Sequence, residues 1–248
     1  MKNFLLVPCL LLVFFANAQL LTWTPDFVKE ASTPVTITMD ANYGNKGLLN
    51  HTPTTDVYVH IGVITSKSTS SSDWKYVKFA WPGTNPLAQC TSLGNNKWQY
   101  TITGGLRSYF AITDANETIK KIAILFRSGG NGDYVQRNAD GSDMYIPVYD
   151  NGVYTRIDDP FRQPTYIPTP EPINKSIGDV VSITSKSSVA GTLKIYFNGN
   201  LLTTSSTTTA TTSATVSTSG DQYIVSEITS GSTVSKDTTK FLVGIRRE

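Results

Sequence analysis

Four ring-bearing side chains fall at spacings that would bring them to one surface. They are Tyr58 and His60 in Asp56-Val-Tyr-Val-His-Ile-Gly-Val-Ile64, and Trp74 and Tyr76 in Trp74-Lys-Tyr-Val-Lys-Phe-Ala-Trp81. Both stretches alternate with the period of a half-buried strand. Val57, Val59, Ile61 and Val63 point one way, and Tyr58, His60 and Gly62 the other. Val77, Phe79 and Trp81 share an apolar face opposite Trp74 and Tyr76, which makes Trp81 a core residue on this reading. A surface of indole, phenol and imidazole rings suits a sugar. A pyranose has a flat apolar C–H face and a rim of hydroxyls, and rigid rings cover that face at small entropy cost. The loop from Ser128 to Asp143 adds Asn131, Asp133, Gln136, Arg137, Asn138, Asp140 and Asp143, donors and acceptors suited to the hydroxyl rim. Asn138 and Asp140 join the candidate site from there. The plainer alternatives are a histidine hydrogen-bonded within its own sheet face and a loop that is polar only for solubility.

The elements that must position these groups are short strands. Val35–Asp40, Asp56–Ile64, Lys75–Trp81, Trp98–Thr103, Lys120–Arg127 and Met144–Asp150 are separated by turn chemistry such as Gly94-Asn95-Asn96 and Gly129-Gly130-Asn131-Gly132. Even spacing of this kind predicts an all-β sandwich or barrel. No segment sustains a 3.6-residue period. Residues 158–172 carry five prolines and read as a semi-rigid linker between a first domain at 19–157 and a second at 173–248. The second domain offers strands at Val180–Ser185, Leu193–Phe197, Gln222–Glu227 and Thr239–Val243, with a hairpin signal at Asn198-Gly199-Asn200. Its Ser/Thr-rich run, Thr203 to Ser219, fits either two exposed strands with a turn or a flexible loop, and threonine favours strands. The expected architecture is two β-sandwich, immunoglobulin-like domains, the second a spacer without the cysteine pair and core tryptophan of antibody domains.

Residues 1–18 begin with Lys2, continue through an apolar run and end in Ala16-Asn17-Ala18, the pattern of a secretory signal peptide. This predicts a secreted, cell-surface or periplasmic bacterial protein, with no membrane span. Lipidation at Cys9 is disfavoured because most of the apolar segment follows that cysteine. After cleavage only Cys90 remains, so the fold must rest on its core rather than on a disulfide. A formal charge of +2 with 16% charged residues leaves no basic stripe for a nucleic-acid partner.

Five stretches together resemble a known group: Asp40-Ala-Asn-Tyr43 with Gly47-Leu-Leu49, the Asp56–Val63 strand, Ser72-Asp-Trp-Lys-Tyr76, Lys120-Lys-Ile-Ala-Ile-Leu-Phe-Arg127 and Asn138-Ala-Asp-Gly-Ser-Asp143. They are similar to the starch-binding modules, carbohydrate-binding module families 25 and 26, that precede secreted bacterial alpha-amylases. The resemblance covers roughly residues 22–152. It implies noncatalytic binding of alpha-glucans (starch, glycogen, maltooligosaccharides) and a glycoside hydrolase domain as partner. His60 and Trp74 fall where those families place ring contacts, with Tyr58 or Tyr76 completing the platform. Trp98 shares a strand face with Tyr100 and Ile102, so it reads as core and leaves the third contact unassigned. The chain then looks like an amylase fragment or a free binding protein.

Other chemistries fit less well. A glycosidase needs two facing carboxylates, and no acid pair is recognisable. Neither histidine has a Gly-x-Ser-x-Gly partner motif for a serine hydrolase. The expectation is therefore a chain that is not an enzyme and needs no cofactor. Calcium at Asn138–Gly141 is the weaker option, since the loop is short and lacks a closing glutamate. The principal rival is a structural or adhesion protein, in which Trp74 would be buried and no polysaccharide retained.

Overall fold

The structure, a computed structural model, describes residues 19–167 and 173–244. The expected signal peptide at 1–18 and part of the proline-rich segment lie outside the described residues. The chain forms two β-sandwiches. The first is built from β1 (Leu21–Thr24), β2 (Val28–Lys29), β3 (Val35–Asp40), β4 (Val57–Thr65), β5 (Thr91–Gly94), β6 (Lys97–Ile102), β7 (Ile119–Ser128), β8 (Val135–Gln136) and β9 (Met144–Tyr149). One sheet runs β1-β3-β6-β5 and the other β2-β9-β7-β4, with β8 pairing β7. A 3-10 turn at Pro86–Ala88 and one short helical turn, α1 (Leu106–Tyr109), interrupt the strands. Alternation supplies the core between the sheets. Val35, Ile37 and Met39 of β3 meet Val57, Val59, Ile61 and Val63 of β4, all fully buried. Trp98 is 1% exposed and donates Nε1–H to the Thr54 carbonyl at 2.8 Å, so it is a core residue, as its strand face predicts.

The outer face of the β4/β7/β9 sheet is also largely covered. Leu125, Arg127 and Ala123 of β7 point away from the main core and are nonetheless buried. Segments 66–90 and 129–143 roof this face, and Ile64, Ala123 and Tyr145 form a small second core beneath Trp74 and Tyr166. The expected strand at Lys75–Trp81 does not form. Its backbone instead caps the free edge of β4 irregularly, through Val63 N to Lys75 O at 2.9 Å, Lys75 N to Val63 O at 2.8 Å and Lys78 N to Ile61 O at 2.9 Å. Tyr76 sits at φ 53°, in the left-handed region, and this breaks the alternation. Val77 therefore faces outward and Trp81 leaves the core side.

The second sandwich comprises β10 (Thr155–Asp159), β11 (Ile173–Ser176), β12 (Val180–Ser187), β13 (Thr192–Phe197), β14 (Asn200–Ser205), β15 (Thr209–Thr215), β16 (Gly220–Ser230) and β17 (Thr233–Gly244). Its sheets run β10-β12-β15 and β11-β17-β16-β13-β14. The predicted hairpin is present: Asn198 and Gly199 have φ 50° and 80°, the two positive values that a type I′ turn requires. The Ser/Thr-rich run forms β14, a turn and β15. The expected boundary after residue 157 cuts through β10, which pairs with β12 and buries Ile157 in the second core. Ile157 is an apolar anchor just ahead of the prolines, so the second sandwich begins before the proline-rich segment.

The two sandwiches are tied together. Asp26 of the first accepts Lys186 Nζ at 2.9 Å and Arg156 Nη2 at 3.4 Å, and the Arg156 guanidinium lies 5.1 Å from the Trp23 ring centroid. The described part of the proline-rich segment runs as a strap across the junction. Phe161 packs edge-on against Trp23, Lys121 Nζ donates to the Thr165 and Tyr166 carbonyls at 2.6 and 2.8 Å, and Arg162 pairs with Asp237 at 2.9 Å.

Candidate functional site

Where the roof leaves a gap over β4 and β7, a depression of about 360 Å³ opens, lined by His60, Trp74, Trp81, Leu125, Arg137 and Asp143. His60 stands outward on β4, opposite Leu125 of β7 in the register. Its imidazole is stacked on Trp74 (centroids 5.5 Å apart, planes 25° apart) and meets Trp81 edge-on at 5.1 Å and 86°. The three rings make a corner rather than a flat platform. Each wall has its own support. Trp74 Nε1 donates to Ser71 O at 3.0 Å, and the Tyr145 hydroxyl, whose pKa burial pushes up to about 12, donates to the same carbonyl at 3.1 Å. Trp81 donates Nε1–H to Asn131 O at 3.1 Å and takes the Arg127 guanidinium at 4.7 Å from its ring centroid. A cation held against an indole away from water contributes about 1 kcal/mol or more. Gly132 closes the turn beside Trp81: its φ is +72°, and a Cβ there would stand 2.7 Å from Trp81 Cζ2.

The polar side of the depression is an Arg137–Asp143 ion pair, which presents fixed donors and acceptors. Burial is the main cause lowering the pKa of His60, and the Arg127 charge adds to it while Asp143 opposes. The ring is therefore neutral at pH 7, and its Nδ1 is buried with no hydrogen-bond partner among the described residues. An uncharged corner of rings beside a fixed charge pair can stack an apolar ligand face and hydrogen-bond its rim. Asp143 is the single carboxylate among the described residues lining it, and it is already engaged by Arg137.

Of the residues singled out in the sequence, the structure brings His60 and Trp74 together. Tyr58 shares the His60 face but lies beyond Trp81, near Arg127 at 5.9 Å. Tyr76 points elsewhere: its hydroxyl donates to Glu117 Oε2 at 2.8 Å, in a network that also holds Thr65 and Lys67. Asn138 braces its own turn, donating Nδ2–H to Ser142 Oγ at 3.0 Å and Asp143 O at 2.7 Å, and Asp140 accepts from Ser142 N and Oγ at 2.9 and 2.6 Å. Both line a different cavity. Trp81 and its support Arg127 are the residues that sequence reading missed, whereas Arg137 and Asp143 belong to the loop it had singled out for hydroxyl contacts. Trp81 required knowledge of the Tyr76 backbone. Arg127 carried a weak signal, as a charge ending an apolar strand.

No protein-family model and no curated protein matches this sequence. Similar solved structures include Clostridium thermocellum CbhA fibronectin(III)-like modules (10% identity, TM-score 0.27, covering 91% of this chain and 94% of that one). A Jonesia denitrificans lytic polysaccharide monooxygenase aligns at 16% identity and TM-score 0.23, over 35% of this chain and 63% of its own length. The SGBP-B protein of a Bacteroides ovatus mixed-linkage glucan utilization locus, solved with a mixed-linkage heptasaccharide, aligns at 8% identity and TM-score 0.28, over 88% of this chain and 43% of that one. At these TM-scores the likenesses carry no functional weight. Fold class rests on the strands themselves: this is a nearly all-β chain of two immunoglobulin-like sandwiches.

Proposed function

We propose that the first sandwich binds starch-type alpha-glucans noncatalytically, through the corner formed by His60, Trp74 and Trp81, and that the second sandwich spaces it from an attached or partner glycoside hydrolase. The observation that supports this most is neutral His60 stacked on one indole and edge-on to a second, beside the Arg137–Asp143 pair. A bent ring surface suits a polymer whose successive units turn, and the ion pair suits its hydroxyl rim. The single, already paired carboxylate favours binding over hydrolysis, which needs two acids flanking the bond. The contact is shallow and wet, so dissociation constants of about 1 μM to 1 mM are expected. Tethering at such a site raises the local concentration of an attached enzyme at its polymer.

The test is native gel retardation of the whole protein in starch, glycogen, xylan or no polymer, with tryptophan fluorescence titration by maltoheptaose. Starch and glycogen alone should retard it, and Trp74→Ala and Trp81→Ala should each weaken binding about fivefold or more, as loss of one aromatic contact costs about 1–3 kcal/mol. Folded protein with unchanged mobility in every gel would sink the reading in favour of an adhesion or structural role.

A further inference from the structure

A second cavity lies on the other side of the 137–143 turn, where the first sandwich meets the strap. It encloses about 320 Å³ and is lined by Tyr43, Asn138, Asp140, Phe161, Gln163 and Thr165, among others. Its walls are fixed. Gln136 Nε2 donates to Tyr43 O at 2.8 Å, Asn45 N donates to Arg137 O at 3.1 Å, and a Cβ on Gly44 would collide with that same carbonyl at 2.3 Å. The strap side is held by Lys121 through Thr165 O.

Within this frame several polar atoms have no partner among the described residues. Asn138 is 7% exposed, and its Nδ2 is committed to two acceptors, so the amide orientation is set and Oδ1 is left buried and unpaired. Gln163, which stands between this cavity and a neighbouring one at the junction of the sandwiches, has both Nε2 and Oε1 buried and unpaired. Leaving such groups desolvated is unfavourable, and a ligand that pairs with them recovers that loss. The remaining lining sets the class. Asp140 is its only charged side chain, which disfavours anions, and two aromatic rings, Tyr43 and Phe161, offer apolar faces. Amides give both donors and acceptors, so neutral hydroxyls are matched. A cation is poorly served, since no group of three or more His, Cys, Asp or Glu side chains forms among the described residues.

We propose that this cavity is a second saccharide site, taking one or two neutral sugar units between Tyr43 and Phe161 with Asn138, Gln163 and Asp140 on their hydroxyls. It does not rest on the His60 corner. The 137–143 turn serves both: Arg137 and Asp143 line the first depression, and Asn138 to Asp140 line this one.

The test follows the side-chain amide signals of Asn138 and Gln163 in nitrogen-15 correlation spectra of the whole protein, assigned with Asn138→Asp and Gln163→Glu. Maltotriose, cellotriose and xylotriose are titrated separately to about 50 mM, well past a millimolar dissociation constant. The expected result is that at least one sugar shifts both amides, in the wild type and in Trp81→Ala with a similar midpoint. Tyr43→Ala and Asp140→Asn should each raise that midpoint about fivefold, as for one lost contact. Asparagine at 140 retains an oxygen for Ser142, which guards against a collapsed turn. Amides that stay at their free positions with all three sugars, in protein whose spectrum is otherwise native, overturn the proposal. The two sites fail separately. Shifts at Asn138 and Gln163 without any at His60, Trp74 or Trp81 would uphold this site and remove the first, and the reverse pattern would do the opposite.

Discussion

The two sandwiches use the same core logic and opposite surfaces. In both, alternating aliphatic residues fill the space between two sheets. In the second, the outward positions of β14 and β15 are mostly serine and threonine, and connections such as Asn198-Gly199 are short. In the first, segments 66–90 and 129–143 fold back over a sheet face that alternation would leave in water, and rings and ion pairs collect in the gaps. The ring-lined corner sits where regular pairing gives way to a roof, while β15 of the regular sandwich presents a row of hydroxyls to solvent.

Matched core deletions give the largest effects and test the shared half of this comparison. Trp98→Ala and Ile195→Ala should cost about 3–5 and about 2–5 kcal/mol, read from urea unfolding; a small loss in either would break the equivalence of the cores. Gly132→Ala tests the roof. Its new Cβ cannot coexist with Trp81 at the present φ, so stability should fall by about 1–3 kcal/mol and polysaccharide retention should weaken with it.

Acid sharpens the contrast further. The folded-state pKa of His60 lies below its ordinary 6.5, so folding excludes a proton. Its contribution is complete above pH 6.5 and is lost as pH falls through the lower folded-state value. The urea midpoint should thus drop between about pH 7.5 and pH 5, and His60→Gln should flatten that drop. Smallest of all is Ser213→Ala on the outward side of β15, expected to change stability by less than about 0.5 kcal/mol and to leave retention untouched.

Much of this was legible in the residues. Alternation in 57–63, 98–102 and 193–197 located strands and cores because burial on one face enforces a two-residue period. The Asn198-Gly199 turn was readable because few residue pairs tolerate two positive φ values. What escaped was whatever depended on distant partners. Tyr76 follows a strand pattern, yet its backbone takes the left-handed φ of 53° and its hydroxyl donates to Glu117, forty-one residues away in sequence. That turn moves Trp81 out of the core and into the corner. Likewise Asn138 and Asp140 were visible as polar loop residues, but only the strap shows that they face Gln163 and Phe161 rather than His60.

The strap has one more consequence. A Gly/Ser-type tether would let the sandwiches swing independently, so the reach between them would follow chain statistics. Here Asp26 joins Lys186 and Arg156 across the junction while Lys121 holds the strap by its carbonyls. Such a joint transmits torque. The second sandwich therefore keeps a fixed bearing toward the ring-lined corner of the first, as a tool takes its angle from its handle.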